Sequence, residues 1–94
     1  MNPTALSLID AGELARRLPM PRAIQAVQQA LRAGLDPEAD IPRTVLDVDA
    51  GQLLLMPSRT SSYTGVKIAG VAPHNPARGQ PRIIASYLST QVRA

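Results

Sequence analysis

Lys67 and Arg43 are the two residues of this chain whose type and setting could do chemistry. Lys67 is the only lysine and lies in an apolar run, residues 65–71, while Arg43 opens another strand-like segment after Pro42. Guanidinium and ammonium groups both bind carboxylates, the first through a bidentate fork and the second as a point charge. Two such cations on neighbouring strands would suit a small carboxylate ligand. The alternatives stay open: Lys67 could protect an edge strand from aggregation, and Arg43 could be an ordinary exposed arginine.

Other kinds of site find little support. A metal centre needs clustered His, Cys or carboxylates, and the chain has no Cys, one His and seven scattered acids. The hydroxyl groups of residues 58–62 have no identifiable base that could activate them for nucleophilic attack. The chain has no Gly-x-Gly-x-x-Gly motif, and Val71-Ala72 follows Gly70 where a P-loop needs Lys-Ser/Thr. We interpret His74, alone between prolines, as a loop residue, and we predict neither a metal nor a nucleotide site.

Composition limits the chain to one domain with a sparse core. Its 94 residues are 45% hydrophobic but include no Phe or Trp and only two Tyr, so aliphatic side chains must form the core. We therefore expect a weakly stable fold that would gain from a partner surface. The net charge of +3 comes from few acids, and the arginines are spread without aromatic residues between them, which argues against nucleic-acid binding.

No segment approaches the ~20 apolar residues of a membrane span, and Asp10 interrupts the apolar N-terminal stretch too early for a secretory leader. We expect a cytoplasmic protein without a membrane partner.

Two helices are predicted in the first third of the chain. Asp10 and Glu13 form a capping-box-like start for a helix over residues 11–18, which Pro19 ends. Pro21 fits the first turn of a second helix, and Gly34 is suited to its left-handed cap. Residues 36–40 are turn-rich and read as a linker.

From Pro42 onward the pattern changes to strands. Residues 43–48 and 53–56, separated by turn chemistry at residues 49–52, predict a hairpin. Residues 58–64 are interpreted as a polar loop, residues 66–71 and 82–88 as two further strands, and residues 73–81 as a proline-restricted loop. The expected fold class is α+β: two N-terminal helices, residues 1–35, followed by an antiparallel sheet of about four strands, residues 42–88. Residues 89–94 offer no closing element, so the chain reads as part of something larger.

Four motifs in order carry a family resemblance. They are Pro42-Arg43-Thr44, then residues 53–57 (Leu-Leu-Leu-Met-Pro), then Gly65-Val66-Lys67, then residues 75–81 (Asn-Pro-Ala-Arg-Gly-Gln-Pro). Together with the helix around residues 18–31, they resemble the start of the ornithine cyclodeaminase/μ-crystallin family over residues 8–88. The resemblance implies a partial substrate-binding and dimerisation domain, whose sheet packs with that of a second subunit. It also implies that the Rossmann domain for NAD(H) or NADP(H) follows downstream, so that this chain itself holds no cofactor.

The resemblance also implies roles for individual residues. Arg43 and Lys67 match the positions that hold the substrate α-carboxylate, and Lys67 is also the candidate for proton transfer at the amine or imine. The residues expected to shape the site are Leu54, Met56, Asn75 and Pro76. Leu54 stands where ornithine cyclodeaminases have a glutamate, so an apolar amino acid or cyclic imine is as good a substrate candidate as ornithine.

Three hypotheses for function follow from the sequence. The first is a truncated, inactive member or N-terminal fragment of an NAD(P)-dependent amino-acid or imine enzyme. The second is a non-catalytic module that dimerises, or pairs with a full-length relative, through its open sheet. The third is nucleic-acid binding, which we rank last because the basic residues do not cluster.

Overall fold

The computed structural model describes residues 6–92. The two ends of the predicted 1–94 domain, residues 1–5 and 93–94, lie outside that range. The chain divides into two compact units, the first of which ends at Pro37 and the second of which begins at Glu38. The first unit is helical, and the second contains the sheet.

The first helix, α1 (Ala11–Arg17), begins where the sequence predicted and ends one residue earlier. The Asp10 carboxylate accepts a hydrogen bond from the Glu13 backbone N–H at 2.8 Å and so caps the helix. Glu13 in turn forms ion pairs with Arg16 at 2.5 Å and Arg17 at 2.6 Å. These hydrogen bonds from Arg16 and Arg17 lower the pKa of Glu13 below its ordinary value.

The second helix, α2 (Met20–Arg32), follows after Pro19, which occupies the N-cap position. Pro21 lies in the first turn, where its missing N–H costs no intrahelical hydrogen bond. The helix ends before Gly34, which adopts a left-handed φ of 103°. Glycine suits this position because a residue with a side chain would be strained there. The predicted glycine cap is therefore confirmed. Within the predicted linker, residues Pro37–Ala39 form a short 3₁₀ helix.

The second unit is a four-stranded antiparallel sheet with the order β1-β2-β3-β4. The strands are β1 (Thr44–Val48), β2 (Gly51–Arg59), β3 (Tyr63–Val71) and β4 (Ile83–Gln91). The predicted fold class, two helices and then an antiparallel sheet of about four strands, is confirmed.

Four predicted boundaries in the sheet were wrong by more than one residue. Strand β2 begins at Gly51, inside the turn predicted at residues 49–52, and not at residue 53. The polar loop assigned to residues 58–64 shrinks to residues 60–62, since β2 continues to Arg59 and β3 begins at Tyr63. The sheet does not end at residue 88, because β4 pairs with β3 as far as Gln91. Polar side chains on these segments suggested loops, but backbone pairing with the neighbouring strand overrides that local preference.

Ala69 is the one hydrophobic residue that is buried among residues 6–92, at 2% exposure. Most of the larger apolar side chains in this range stay substantially exposed, so the expected sparse core is confirmed. None of the described helices is long and apolar enough to cross a membrane.

Candidate functional site

The register of the sheet aligns three chemically distinct residues across one face, and a fourth directly precedes β1. Lys67 of β3 lies directly opposite Met56 of β2 and Tyr87 of β4. Arg43 directly precedes Thr44, the first residue of β1, which pairs with Leu55. Because cross-strand partners share a face, Met56, Lys67 and Tyr87 form one row. This row, together with Arg43 beside the end of β1, is called here the cation row.

Lys67 lies on an inner strand of the sheet. Strand β3 pairs with β2 on one side and β4 on the other, so the edge-strand interpretation of this lysine is wrong. The ammonium is not a buried group either, since Lys67 is classed as exposed in the described structure. An exposed cation on a fully paired strand does not protect an edge.

The spacing between the two cations suits a shared ligand. Neighbouring strands lie about 4.8 Å apart, so β1, which Arg43 precedes, and β3, which carries Lys67, run roughly 10 Å from each other with β2 and its Met56 between them. Both side chains are exposed, and within residues 6–92 neither takes part in the ion pairs, which join Glu13 to the arginines of α1.

The surroundings of the cation row are apolar on one side. Leu54 pairs with Ala69, and Ala69 with Ala85, in the next row of the same face. Leu54 and Met56 are half-buried. The sequence placed Leu54 and Met56 beside the site, and the register brings both onto the face that carries Lys67. At these two positions the face offers a bound ligand aliphatic contacts and no charge.

Asn75 and Pro76 lie in the loop between β3 and β4, in the short 3₁₀ helix Asn75–Arg78. The Asn75 side-chain amide donates to the Pro81 carbonyl at 3.1 Å, and the Asn75 carbonyl accepts from the Gln80 N–H at 3.0 Å. Gly79 closes the helix with a φ of 75°. In this structure Asn75 thus holds the loop in shape through contacts within the loop itself. The exposed His74 immediately precedes the helix.

Two contacts on the same face were missed by the sequence reasoning. Ser58 Oγ donates to Asp40 Oδ1 at 3.0 Å, which brings an acid from the predicted linker to the row next to Met56. The Tyr87 ring lies over Gly65, where a side chain would collide with it. Neither contact has a local signal, because the partners of each pair are 18 and 22 positions apart in the sequence.

The opposite face of the sheet carries most of its apolar side chains in the middle and polar residues, including Arg59 and Thr64, toward one end. Its exposed large apolar side chains are Leu46, Val48, Leu55, Ile68, Ile84 and Leu88. At one end of this face, beneath the loop that contains Asn75, lies an open cavity of about 360 Å³. Its lining is mostly aliphatic, with Arg82 as the charged member. Among residues 6–92, no group of three or more His, Asp or Glu residues could hold a metal ion.

Comparison with known proteins supports the resemblance in sequence and in structure. The chain is 32% identical over 74 residues to alanine dehydrogenase from Archaeoglobus fulgidus, a match that covers 78% of this chain and 23% of the relative. Its structure superposes on an archaeal alanine dehydrogenase dimer with bound NAD with a TM-score of 0.73 and 26% identity, over 88% of this chain and 26% of that one.

The chain belongs to the ornithine cyclodeaminase/μ-crystallin family and corresponds to its N-terminal segment. The sequence matches none of the protein-family models with which it was compared. The chain spans about a quarter of the length of the relatives that it matches. Membership in the family therefore rests on the similarity of this segment to about a quarter of each relative.

Proposed function

We propose that this segment forms the substrate-carboxylate site of an NAD(H)- or NADP(H)-dependent cytoplasmic enzyme that converts amino acids or imines. The observation that supports the proposal is the cation row, in which Lys67 pairs with the half-buried Met56 and Arg43 directly precedes the first residue of β1. Relationship to an alanine dehydrogenase over most of the chain supports the same reaction class.

Each cation has a separate task in this proposal. Arg43 forks onto the two carboxylate oxygens, a bidentate geometry that lysine does not reproduce. Lys67 donates to one of the same oxygens and exchanges a proton with the substrate nitrogen, a general acid–base role that needs hydrogen-bond reach. Leu54 and Met56 contact the aliphatic part of the substrate. The absence of a carboxylate at Leu54 disfavours a second amino group and so disfavours ornithine.

The nicotinamide cofactor does not fit the described residues. Dinucleotides bind where a parallel strand leads through a glycine-rich turn into a helix, with the pyrophosphate at the helix N-terminus. The strands described here all pair antiparallel, and α1 and α2 precede the sheet. We therefore assign the cofactor to no residue of this chain, and Arg43 and Lys67 act on the substrate alone.

The test uses the fact that Lys67 is the only lysine in 94 residues. Selective ¹³C labelling of lysine gives one ε-methylene NMR signal, which L-alanine should shift in a saturable manner. Arg43→Gln should weaken this binding about ten- to hundredfold, because hydrogen bonds to charged groups are each worth about 1.5–3 kcal/mol.

Arg59→Gln is the matched control for Arg43→Gln. It removes the same charge from the end of β2, where Arg59 pairs with Thr64 on the opposite face. Equal loss of affinity in both variants, or a lysine signal that L-alanine does not move, would show that the cation row is not a carboxylate site.

A second function, a non-catalytic dimerisation module, is favoured by the apolar face opposite the cation row. Six large aliphatic side chains on this face are exposed, which is unusual for a stable monomer surface. The occupant that we propose is the same face of a second copy, since the solved relative is a dimer. Sedimentation of the native protein and of Ile68→Lys tests it: the native protein should be dimeric and the variant monomeric. A monomeric native protein would exclude this function.

A further inference from the structure

Tyr87 occupies a defined position at the end of the cation row. It lies on β4 directly opposite Lys67, and its side chain reaches diagonally across β3 to Gly65, two residues before Lys67 on the same face. A Cβ placed on Gly65 would overlap the Tyr87 hydroxyl and lie 2.6 Å from Cζ and 2.8 Å from Cε1. The phenol ring therefore rests directly on the Gly65 backbone.

The Tyr87 ring can lie against the strand at this point because residue 65 is a glycine. Gly65 is buried, although Tyr87 itself is 62% exposed, so the ring covers the strand while its outer side faces solvent. The φ of Gly65 is not in the left-handed region, since among the described residues only Gly34 and Gly79 have positive φ. What the glycine provides here is the space that the Tyr87 ring takes, and not an unusual backbone conformation.

The ring closes one of the two directions in which a ligand on the cation row can extend. Along β3 the next positions on this face lie about 7 Å from Lys67 on either side. On one side Ala69 is already buried at 2% exposure beside the half-buried Leu54. On the other side the Tyr87 ring fills the space above Gly65. A carboxylate ligand held at Lys67 thus meets a filled row on one flank along β3 and a phenol ring on the other.

Beyond the ring lies room that a longer ligand could use. Tyr87 and Gly65 border a small hollow of about 50 Å³, which Ser58, Thr60 and Tyr63 also line. Removing the ring would join the space above Gly65 to this hollow. The ring therefore separates the cation row from a polar recess.

We infer that Tyr87 is a specificity-determining residue that restricts the cation row to ligands with small side chains. The inference rests on the proposed function, because it concerns the ligand that Arg43 and Lys67 hold. It adds the upper size limit of that ligand and the side chain that imposes it. The hydroxyl group is not required, since the restriction comes from the volume of the ring over Gly65.

The experiment compares the affinities for L-alanine and L-phenylalanine, measured by the ε-methylene signal of Lys67. The native protein should bind L-alanine at least tenfold more tightly than L-phenylalanine. Tyr87→Ala should reduce this ratio about tenfold. Tyr87→Phe, which keeps the ring, should preserve the ratio.

Tyr63→Ala is the matched control, because Tyr63 lies on the same face and borders the same hollow but pairs with Gln91, two rows from Lys67. It should leave the ratio unchanged. If L-alanine binds and the ratio is the same in Tyr87→Ala as in the native protein, or Tyr63→Ala changes it equally, the role of Tyr87 is refuted and the carboxylate site stands. If neither amino acid binds the native protein, the proposed function and this inference both fail.

Discussion

Replacement of Gly51 by alanine should destabilise the sheet, and the reason is a close approach between two backbones. Gly51 begins β2 and pairs with Val48 in the hairpin. A Cβ at this position would overlap the Val71 carbonyl oxygen and lie 2.9 Å from the Val71 carbonyl carbon and 3.2 Å from Ala72 Cα. All three obstacles are main-chain atoms, which can move only if the end of the β2–β3 ladder opens.

Gly70→Ala is the reference that isolates this effect. Gly70 also lies in the sheet and lines the same cavity as Gly51, but a Cβ there would meet only the Ile84 carbonyl oxygen at 3.9 Å, an ordinary contact. Either substitution reduces the conformational entropy of the unfolded chain by a similar amount, worth about 0.4–1 kcal/mol. That contribution cancels when the two variants are compared, and only the steric cost at Gly51 remains.

The expected difference follows from the cost of forcing extra atoms into an occupied space. Overpacking costs typically about 1–3 kcal/mol, so Gly51→Ala should be less stable than Gly70→Ala by that amount. With a urea m-value of about 1 kcal/mol/M, the unfolding midpoints should differ by about 1–3 M. Urea denaturation followed by far-UV circular dichroism measures both midpoints. Equal midpoints would refute the argument, since they would mean that the Val71 carbonyl does not constrain residue 51.

Three further outcomes are expected. Arg16 and Arg17 lower the pKa of Glu13, so the ion pairs of Glu13 should stabilise α1 at neutral pH and lose this effect as pH falls below the ordinary glutamate pKa of 4.5. Circular dichroism should show this loss of helix in the native protein and not in Glu13→Gln. Asp10→Ala should cost about 1 kcal/mol of helix stability, because it removes the N-cap hydrogen bond. Thermal unfolding measures this loss, and an unchanged stability would refute the role of Asp10 as the cap. Asn75→Ala should speed amide exchange at Gln80, because the loop loses the hydrogen bond to the Pro81 carbonyl; unchanged exchange would contradict this.

The helices were predictable from the sequence because their signals are local. Asp10 and Glu13 are three residues apart, and the structure shows the cap that this spacing indicates. Gly34 is two residues beyond the last residue of α2 and adopts the left-handed φ expected of it. The boundaries of the strands were less predictable, since the polar residues at the ends of β2, β3 and β4 are held in the sheet by partners distant in the sequence.

At the candidate site, too, some features followed from the sequence and others only from the strand pairing. The four motifs in order indicated the family and singled out Arg43 and Lys67 before any geometry was known. The sequence left open whether Lys67 guards an edge strand, and only the strand order, which places β3 inside the sheet, excludes that role.

The sequence by itself determined which residues could bind a carboxylate and where the helices begin and end, because residue type, caps and breakers act over a few positions. The tertiary structure alone decided that Met56, Lys67 and Tyr87 share a row. It also decided that the Val71 carbonyl requires glycine at position 51 and that the Tyr87 ring takes the space above Gly65. The physical reason is register: shifting one strand by a single residue would move every side chain to the other face, and this choice is made by long-range pairing.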